Sequence, residues 1–494
     1  MKWPATLQGF PARGQNCGMQ NTDWDSEASL MKNGKNMTVG RPGRLILTFA
    51  VPLIIGNLGQ QFYMIVDSII VGQGVGVKGL AAVGATDWTY WLFLWTIQAL
   101  TQGFSIPVAQ RYGMGNSSEV KKAISMSIFL CGVLGLALTA LGLSSIFPLL
   151  HILKTPGDIY DGASSYLRVM FGGLLAVMAY NMASAILRAF GDGRTPLIAM
   201  AIAAVTNIAL DLLFVMVFRF GIAGAAAATV IAQAIAFGYC FLFLFRHGIL
   251  KFERRDWRPD GTTIRALCGS GCSLALTQIL IAVGGMILQS AINFQGAAFI
   301  AAATAANKLL GLLESSAVSL GYSVTTYVAQ NWGAKLHDRL KKGLKASIFI
   351  ATGLSLLIAF LMIFAGKPIL GLFVNAADEN AAAVLDIAYR YLFLMSCFLS
   401  SLYLLHILRS ALQGIGCGLA TVLSGAAEFA ARVSVALYFS RRFGQTALML
   451  AEPLAWVAAA AVLSVMGILK FGRRLQGRPA DALCGCGAEA RPSP

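Results

Sequence analysis

Apolar runs of 18 or more residues recur along the whole chain, separated by charged residues, Pro and Gly. At 1.5 Å per residue each run is long enough to cross a hydrocarbon core of about 30 Å. The breaks predict helices near 45–71, 80–110, 120–147, 164–188, 196–218, 222–245, 264–291, 298–330, 344–365, 385–410, 418–440 and 447–469. The fold class expected is therefore an all-α polytopic membrane protein with twelve transmembrane helices. Because twelve is even, both termini belong on one side of the membrane.

The pattern also repeats. A shift of 220 positions lays Leu80-Ala81-Ala82 on Ile300-Ala301-Ala302 and Ala109-Gln110-Arg111-Tyr112-Gly113 on Ala329-Gln330-Asn331-Trp332-Gly333. It also lays Ser127-Ile128-Phe129 on Ser347-Ile348-Phe349, and a shift of 225 brings Leu187–Gly191 onto Leu412–Gly416. Each repeat holds six helices, so both start on the same side and form parallel, pseudo-symmetric six-helix bundles. Secondary transporters built this way hold their substrate between the repeats.

Composition agrees with a membrane chain and fixes its expected orientation. The 494 residues are 57% hydrophobic and only 12% charged, too few charges to cover a soluble surface of this size. Most of the 38 Lys and Arg fall in the segments on the side of the termini. Basic loops stay in the cytoplasm, so both termini are expected there, in a cell (inner or plasma) membrane protein. The net charge of +16 thus reports topology and gives no reason to expect nucleic acid. No phosphate-binding Gly-rich loop, HExxH or GxSxG pattern occurs, so ATP hydrolysis and hydrolase chemistry have no local signature and no enzyme is expected. The domains expected are a polar, disordered extension over 1–40 and a first lobe over 41–245. A basic linker over 246–263, a second lobe over 264–470 and a tail over 471–494 follow. The start is left open between Met1, Met31 and Met37.

Charges inside the apolar runs carry the functional reading. A carboxylate within the bilayer costs roughly 2.5 kcal/mol or more and by default marks an ion or substrate path. Asp67 lies late in helix 1 and Asp211 late in helix 5, and both helices run outward, so both acids belong in the outer half of the membrane. Asn207 shares a helix face with Asp211, and Thr229, early in helix 6, belongs at the same depth. Two acids with an amide and a hydroxyl make a small-cation site. If they approach, repulsion and desolvation favour holding one proton between them. The same oxygens can ligate Na⁺ at Asp67, Asp211 and Asn207, and the alternative is that each carboxyl is a hydrogen-bonded structural group. In the second repeat a shift of 221 replaces Asn207 and Asp211 by Glu428 and Arg432, an i,i+4 structural ion pair. Pro52 inside helix 1 can bend it and move Asp67, or form a static kink. Trp88, Trp91 and Trp95 share one face of helix 2 and, with Met64, Tyr90 and Phe93, can line a cavity for flat lipophilic cations or simply pack. Asp87, Lys308 and Glu314 have no assigned role, and His406 is expected to be a satisfied interior histidine.

Val51-Pro52 through Asp67-Ser68 with Gly72, then Leu80-Ala81-Ala82-Val83, Leu187-Arg188…Gly191-Asp192…Pro196, Asn207…Asp211 and Gly221…Gly224-Ala225-Ala226 together resemble the multidrug and toxic compound extrusion (MATE) family. The resemblance spans about 41–470. It implies a V-shaped, cation-coupled antiporter that exports amphipathic or cationic drugs and other toxic organic compounds by alternating access. The family's cation site falls on Tyr63, Asp67, Asn181, Asn207, Asp211 and Thr229, and its helix 1 proline on Pro52. One branch carries further acids in helices 7 and 10. Here helix 7 has Thr277 and Gln278, and helix 10 only Asp386, which argues against a second coupling site. Expected partners are the lipid bilayer and small lipophilic organic cations, with Trp91, Trp95 and Met64 in the substrate cavity. The chain is expected to be a monomer with no cofactor beyond H⁺ or Na⁺ as coupling ion. Other readings are a lipid-linked precursor flippase of a related exporter family and a non-transporting membrane sensor or scaffold.

Overall fold

The structure, a computed structural model, describes residues 36–152, 155–371 and 381–475. In the first repeat α1 (Pro42–Gly74), α2 (Val77–Gly113) and α3 (Ser117–Ile152) are followed by α4 (Gly157–Gly172), α5 (Leu174–Ala189), α6 (Arg194–Asp211) and α7 (Gly221–Arg246). The second repeat holds α8 (Gly261–Asn293), α9 (Ala297–Gly333), α10 (His337–Gly371), α11 (Ala381–Cys397), α12 (Leu399–Gly414), α13 (Gly418–Ser434), α14 (Ser440–Met449) and α15 (Ala451–Leu475). Ten helices are long and apolar enough to span a membrane, and two bent pairs raise the count to twelve if each is one span. Among the described residues every regular element is helical. The expectation of an all-α, two-lobe membrane protein is met.

Several details depart from the sequence reading. Spans 4 and 10 were each expected as one helix, near 164–188 and 385–410, yet α4–α5 bends by 43° and α11–α12 by 48°. The first bend has a local cause at Gly172-Gly173. A Cβ on Gly173 would lie 2.3 Å from the Val230 side chain, so α5 and α7 can approach only where that carbon is missing. Arg188 and Arg409, at the ends of the helices expected near 164–188 and 385–410, lie inside α5 and α12. Residues 36–40 were placed in a disordered extension, whereas Met37 is fully buried. The remainder of that extension lies outside the described residues.

Both repeats also break regular α geometry at matching places. α6 runs directly into a π-helical turn, Leu212–Val217, and α13 into another, Val435–Phe439. Such turns are uncommon and concentrate at functional sites.

The loops preceding α1, α3, α6, α8, α10 and α13 share one side of the bundle with the end of α15; this is the terminal face, and the opposite side the far face. The lobes interlock there. α1 packs on α9 of the other repeat and α2 on α8. A Cβ on Gly103 of α2 would lie 2.4 Å from the Gly271 backbone of α8, so this crossing requires glycine.

At the terminal ends of α2 and α9 the contacts are reciprocal. A Cβ on Gly113 would fall 2.0 Å from the Gln330 carbonyl oxygen, and one on Gly333 would fall 1.8 Å from that of Gln110. Gln110 Nε2 donates to the Gly414 carbonyl at 2.8 Å, and Gln330 Nε2 donates to the Ala189 carbonyl at 2.8 Å. The Gln330 Oε1 accepts from the Met37 amide at 2.8 Å, and Asn331 donates to the Met37 carbonyl at 3.0 Å. Met37 is thereby strapped beneath the joint, with its backbone groups satisfied.

Towards the far face α2 and α9 change character. Residues 97–109 of α2 and 316–333 of α9 are almost wholly buried, whereas Gly84, Asp87, Thr304 and Lys308 are exposed. The two arms therefore meet at the terminal face and splay to an open cleft at the far face.

Between the repeats, Asp260 caps α8 by accepting from the Thr263 amide at 3.2 Å and the Thr262 amide at 3.4 Å. Lys122 Nζ of α3 lies 3.3 Å from the same carboxylate, and Arg111 donates to Thr263 Oγ1 at 2.8 Å. The linker is thus tied to the first lobe.

Candidate functional site

Five of the six residues expected at the cation site come from three helices of the first lobe. α1 supplies Tyr63 and Asp67, the last turn of α6 Asn207 and Asp211, and α7 Thr229. α1 packs on α6, and α6 on α7, which brings these positions together. The Asp67 and Asp211 carboxyls lie within hydrogen-bonding reach of each other. Tyr63 lies within electrostatic range of both acids. Asn207 Nδ2 donates to Thr229 Oγ1 at 3.3 Å, which fixes the amide and leaves its oxygen free.

The remaining atoms define the chemistry. Asp67 Oδ1, both Asp211 carboxylate oxygens and Asn207 Oδ1 are buried with no donor among the described residues. Asp211 is fully buried and Asn207 nearly so. Buried acceptors without donors are costly, and two facing carboxylates are more so. Such a set is chemically suited to a positive charge, either a proton between the acids or a small cation that prefers oxygen ligands. The π-helical turn starts at the residue after Asp211, so the carboxyl sits where the helix already departs from α register.

Asn181 stands apart from this set in its bonding. Its Nδ2 donates to the Val177 carbonyl of its own helix at 2.8 Å. Tyr90 and Tyr166, which the sequence reading did not place at the site, lie within electrostatic range of Tyr63, and Tyr166 also of Asp67 and Asp87. The signal available was a tyrosine in an apolar run, which packing explains equally well. Pro52 lies inside α1, which runs unbroken past it.

On α2, Trp91 and Trp95 are half-buried with ring centroids 5.7 Å apart, Trp91 packing against the core of the first lobe, and Met64 is half-buried on α1. The side chain of Trp88 lies outside the described residues. Arg188 donates to Ser184 Oγ at 2.6 Å and to Gln102 at 3.3 Å, and its guanidinium lies over the Tyr322 ring of the other lobe at 5.1 Å.

The second lobe holds charge of a different kind. Glu428 and Arg432 were expected to neutralise each other alone. Instead Glu428 bonds both Arg409 and Arg432, the latter at 3.2 Å. Arg432 also binds Glu452 twice, at 2.9 and 2.7 Å, and Arg409 Nε donates to Ser424 at 3.1 Å. Two arginines and two glutamates therefore form a buried, neutral network, the affordable form for intramembrane charge. Asp386 pairs with Arg390 at 3.4 Å on an exposed face. His406 Nε2 lies 3.6 Å from Glu314 Oε1, so the expected interior histidine has an acidic partner.

The comparisons with known proteins agree with this architecture. The MatE family model matches residues 52–213 and 273–437, one stretch in each lobe, each ending just inside a π-helical turn. A protein of Bacillus subtilis (strain 168) named "Probable multidrug resistance protein YpnP" is 29% identical over 301 residues, 60% of this chain and 67% of its own. Multidrug export protein MepA of Staphylococcus aureus (strain MSSA476) is 23% identical over 433 residues, 86% of this chain and 94% of its own. A crystal structure of a MATE protein in a bent conformation superposes with a TM-score of 0.82 at 22% identity, covering 92% of this chain and 98% of that one. Matched across both repeats and alike in fold, this chain belongs to the MatE family and is a MATE transporter.

Proposed function

We propose that the protein is a cation-coupled antiporter that exports amphipathic and cationic organic compounds by alternating access. The observation that carries the coupling is the Asp67–Asp211 pair, whose buried oxygens have no donor among the described residues. In the state with the far face open, a proton or Na⁺ enters the cleft and satisfies these acceptors, with Asn207 and Thr229 completing the site. Loading removes the repulsion between the acids. The gain in free energy is available to close the far face and release substrate before closure, because a ligand shifts a conformational equilibrium by its differential affinity for the two states. Movement of α1 about Pro52 is the route by which Asp67 would report its charge.

The terminal face is the cytoplasmic one on this reading, since it carries most of the Lys and Arg. The chain works as a monomer in the cell membrane, because each cleft is built within one chain. Relatives named for multidrug resistance and multidrug export support organic drugs as cargo. The neighbouring, mutually tilted rings of Trp91 and Trp95 offer the faces such compounds use.

The test is drug resistance conferred on a host lacking its own pumps. Asp67→Asn and Asp211→Asn should each abolish resistance while inserting normally. Wild-type resistance in both variants would overturn the coupling role. Efflux from vesicles under separately imposed ΔpH and ΔNa⁺ identifies the ion.

A further inference from the structure

Two opposite charges face each other across the open cleft without touching. Asp87 lies on the exposed face of α2 in the first lobe, and Lys308 on the exposed face of α9 in the second. Neither forms an ion pair within 4.0 Å with any described residue, yet Lys308 is close enough to act on Asp87 electrostatically. They are not copies of one another. At the shift of 220 that relates the repeats, Asp87 corresponds to Asn307 and Lys308 to Trp88, so the opposition of sign does not follow from the duplication.

Their heights match. α2 and α9 meet at Gly113 and Gly333, and Asp87 and Lys308 lie 26 and 25 residues back along their helices from that contact. At 1.5 Å per residue both charges sit about 38 Å from the crossing. If the arms swing together about their terminal ends, points at equal distance arrive at the same place. Water in the cleft solvates both charges while the far face is open. Closing that face removes the water, and an unpaired ammonium or carboxylate at that depth is costly unless it finds a partner.

We infer that Asp87 and Lys308 form an ion pair across the cleft when the far face closes, as positioning residues that hold the arms together in the state open at the terminal face. This rests on the alternating-access reading and adds to it the contact that replaces the Gln110 and Gln330 bonds when the terminal face opens. Asp87 also lies within electrostatic range of Asp67. A positive charge arriving at the acid pair therefore relieves Asp87 as well, and favours the closure that delivers Lys308.

The experiment is a charge swap with a structural readout. Wild type, Asp87→Lys, Lys308→Asp and the double swap are compared for drug efflux from proteoliposomes, at matched insertion. Each single swap places like charges opposite each other and should lower efflux ~10-fold or more, while the double swap should recover most of it, the signature of direct coupling. Asp87→Glu and Lys308→Arg should retain transport. In parallel, Asp87→Cys combined with Lys308→Cys is treated with a short bis-thiol reagent, and an 87–308 bridge is sought by peptide mass analysis. Efflux by wild type with no bridge, or a double swap no better than the worse single variant, overturns the pairing. A bridge that forms in a protein without drug efflux upholds the pairing and overturns the exporter reading instead.

Discussion

Gln330 donates its side-chain amide to the carbonyl oxygen of Ala189 at 2.8 Å, 141 positions away and in the other lobe. Gln110 makes the same bond to Gly414 at 2.8 Å. Each glutamine closes a backbone carbonyl at the end of a helix, where four carbonyls lack intrahelical partners. The Ala-Gln…Gly motif shared by the repeats is thus a matched pair of latches on the terminal face. Replacing either glutamine by Ala removes a bond worth ~1 kcal/mol and should raise the population open at that face about fivefold. Gln330→Ala should have the larger effect, since it also leaves the Met37 amide without its acceptor. Labelling of an introduced thiol in the cleft by a reagent applied from the terminal side measures this.

Gly113→Ala and Gly333→Ala should each abolish efflux. Their added carbons would fall 2.0 and 1.8 Å from backbone carbonyl oxygens that cannot yield without moving a lobe. Gly59→Ala and Gly311→Ala, where nothing lies within 4 Å, should transport normally. Efflux assays at equal expression separate the two classes.

Glu428→Gln should destabilise the second lobe strongly. It strips a buried acid from two arginines, and breaking such a network by removing one member costs ~3–5 kcal/mol. Glu452→Gln should cost less, because among the described residues Glu452 pairs with Arg432 alone, and it stays partly exposed. Thermal unfolding in detergent reads the order directly.

Asp260 gives a pH-dependent contribution with a defined sign. The hydrogen bond from the Thr263 hydroxyl, with those from Thr262 and Lys122, holds its carboxyl well below the usual carboxylate range. A depressed folded value means the stabilisation is present above the unfolded pKa of about 3.9 and is lost as pH falls towards the folded value. Asp260→Ala should therefore lower stability by ~1 kcal/mol at neutral pH, as loss of a helix cap does. The difference from wild type should stay constant down to about pH 5 and shrink below about pH 4.

Much of the architecture was legible because a bilayer leaves few choices. Runs long enough to span it must be helices, and a constant offset between Gln110 and Gln330 betrays the duplication. Asp67 and Asp211 stood out because carboxylates are rare at that depth. The surroundings of the arginines were harder to read. Arg188 and Arg409 lie near helix ends, where a positive charge ordinarily marks a loop. What keeps Arg409 inside is Glu428, nineteen positions on and in a different helix, a partner no local pattern reveals. Glu452 was hidden from Arg432 in the same way. The π-helical turns after Asp211 and Ser434 carry no Pro or Gly to announce them.

The close contact of Gly113 and Gly333 makes the molecule a geared lever. The fulcrum lies at one end of two long arms, so a rotation of about 10° there carries points ~38 Å away through roughly 7 Å. On the alternating-access reading, small displacements among these glutamines and glycines would open and shut the mouth of the cleft. One methyl group at the fulcrum has a longer reach than a large side chain at the rim.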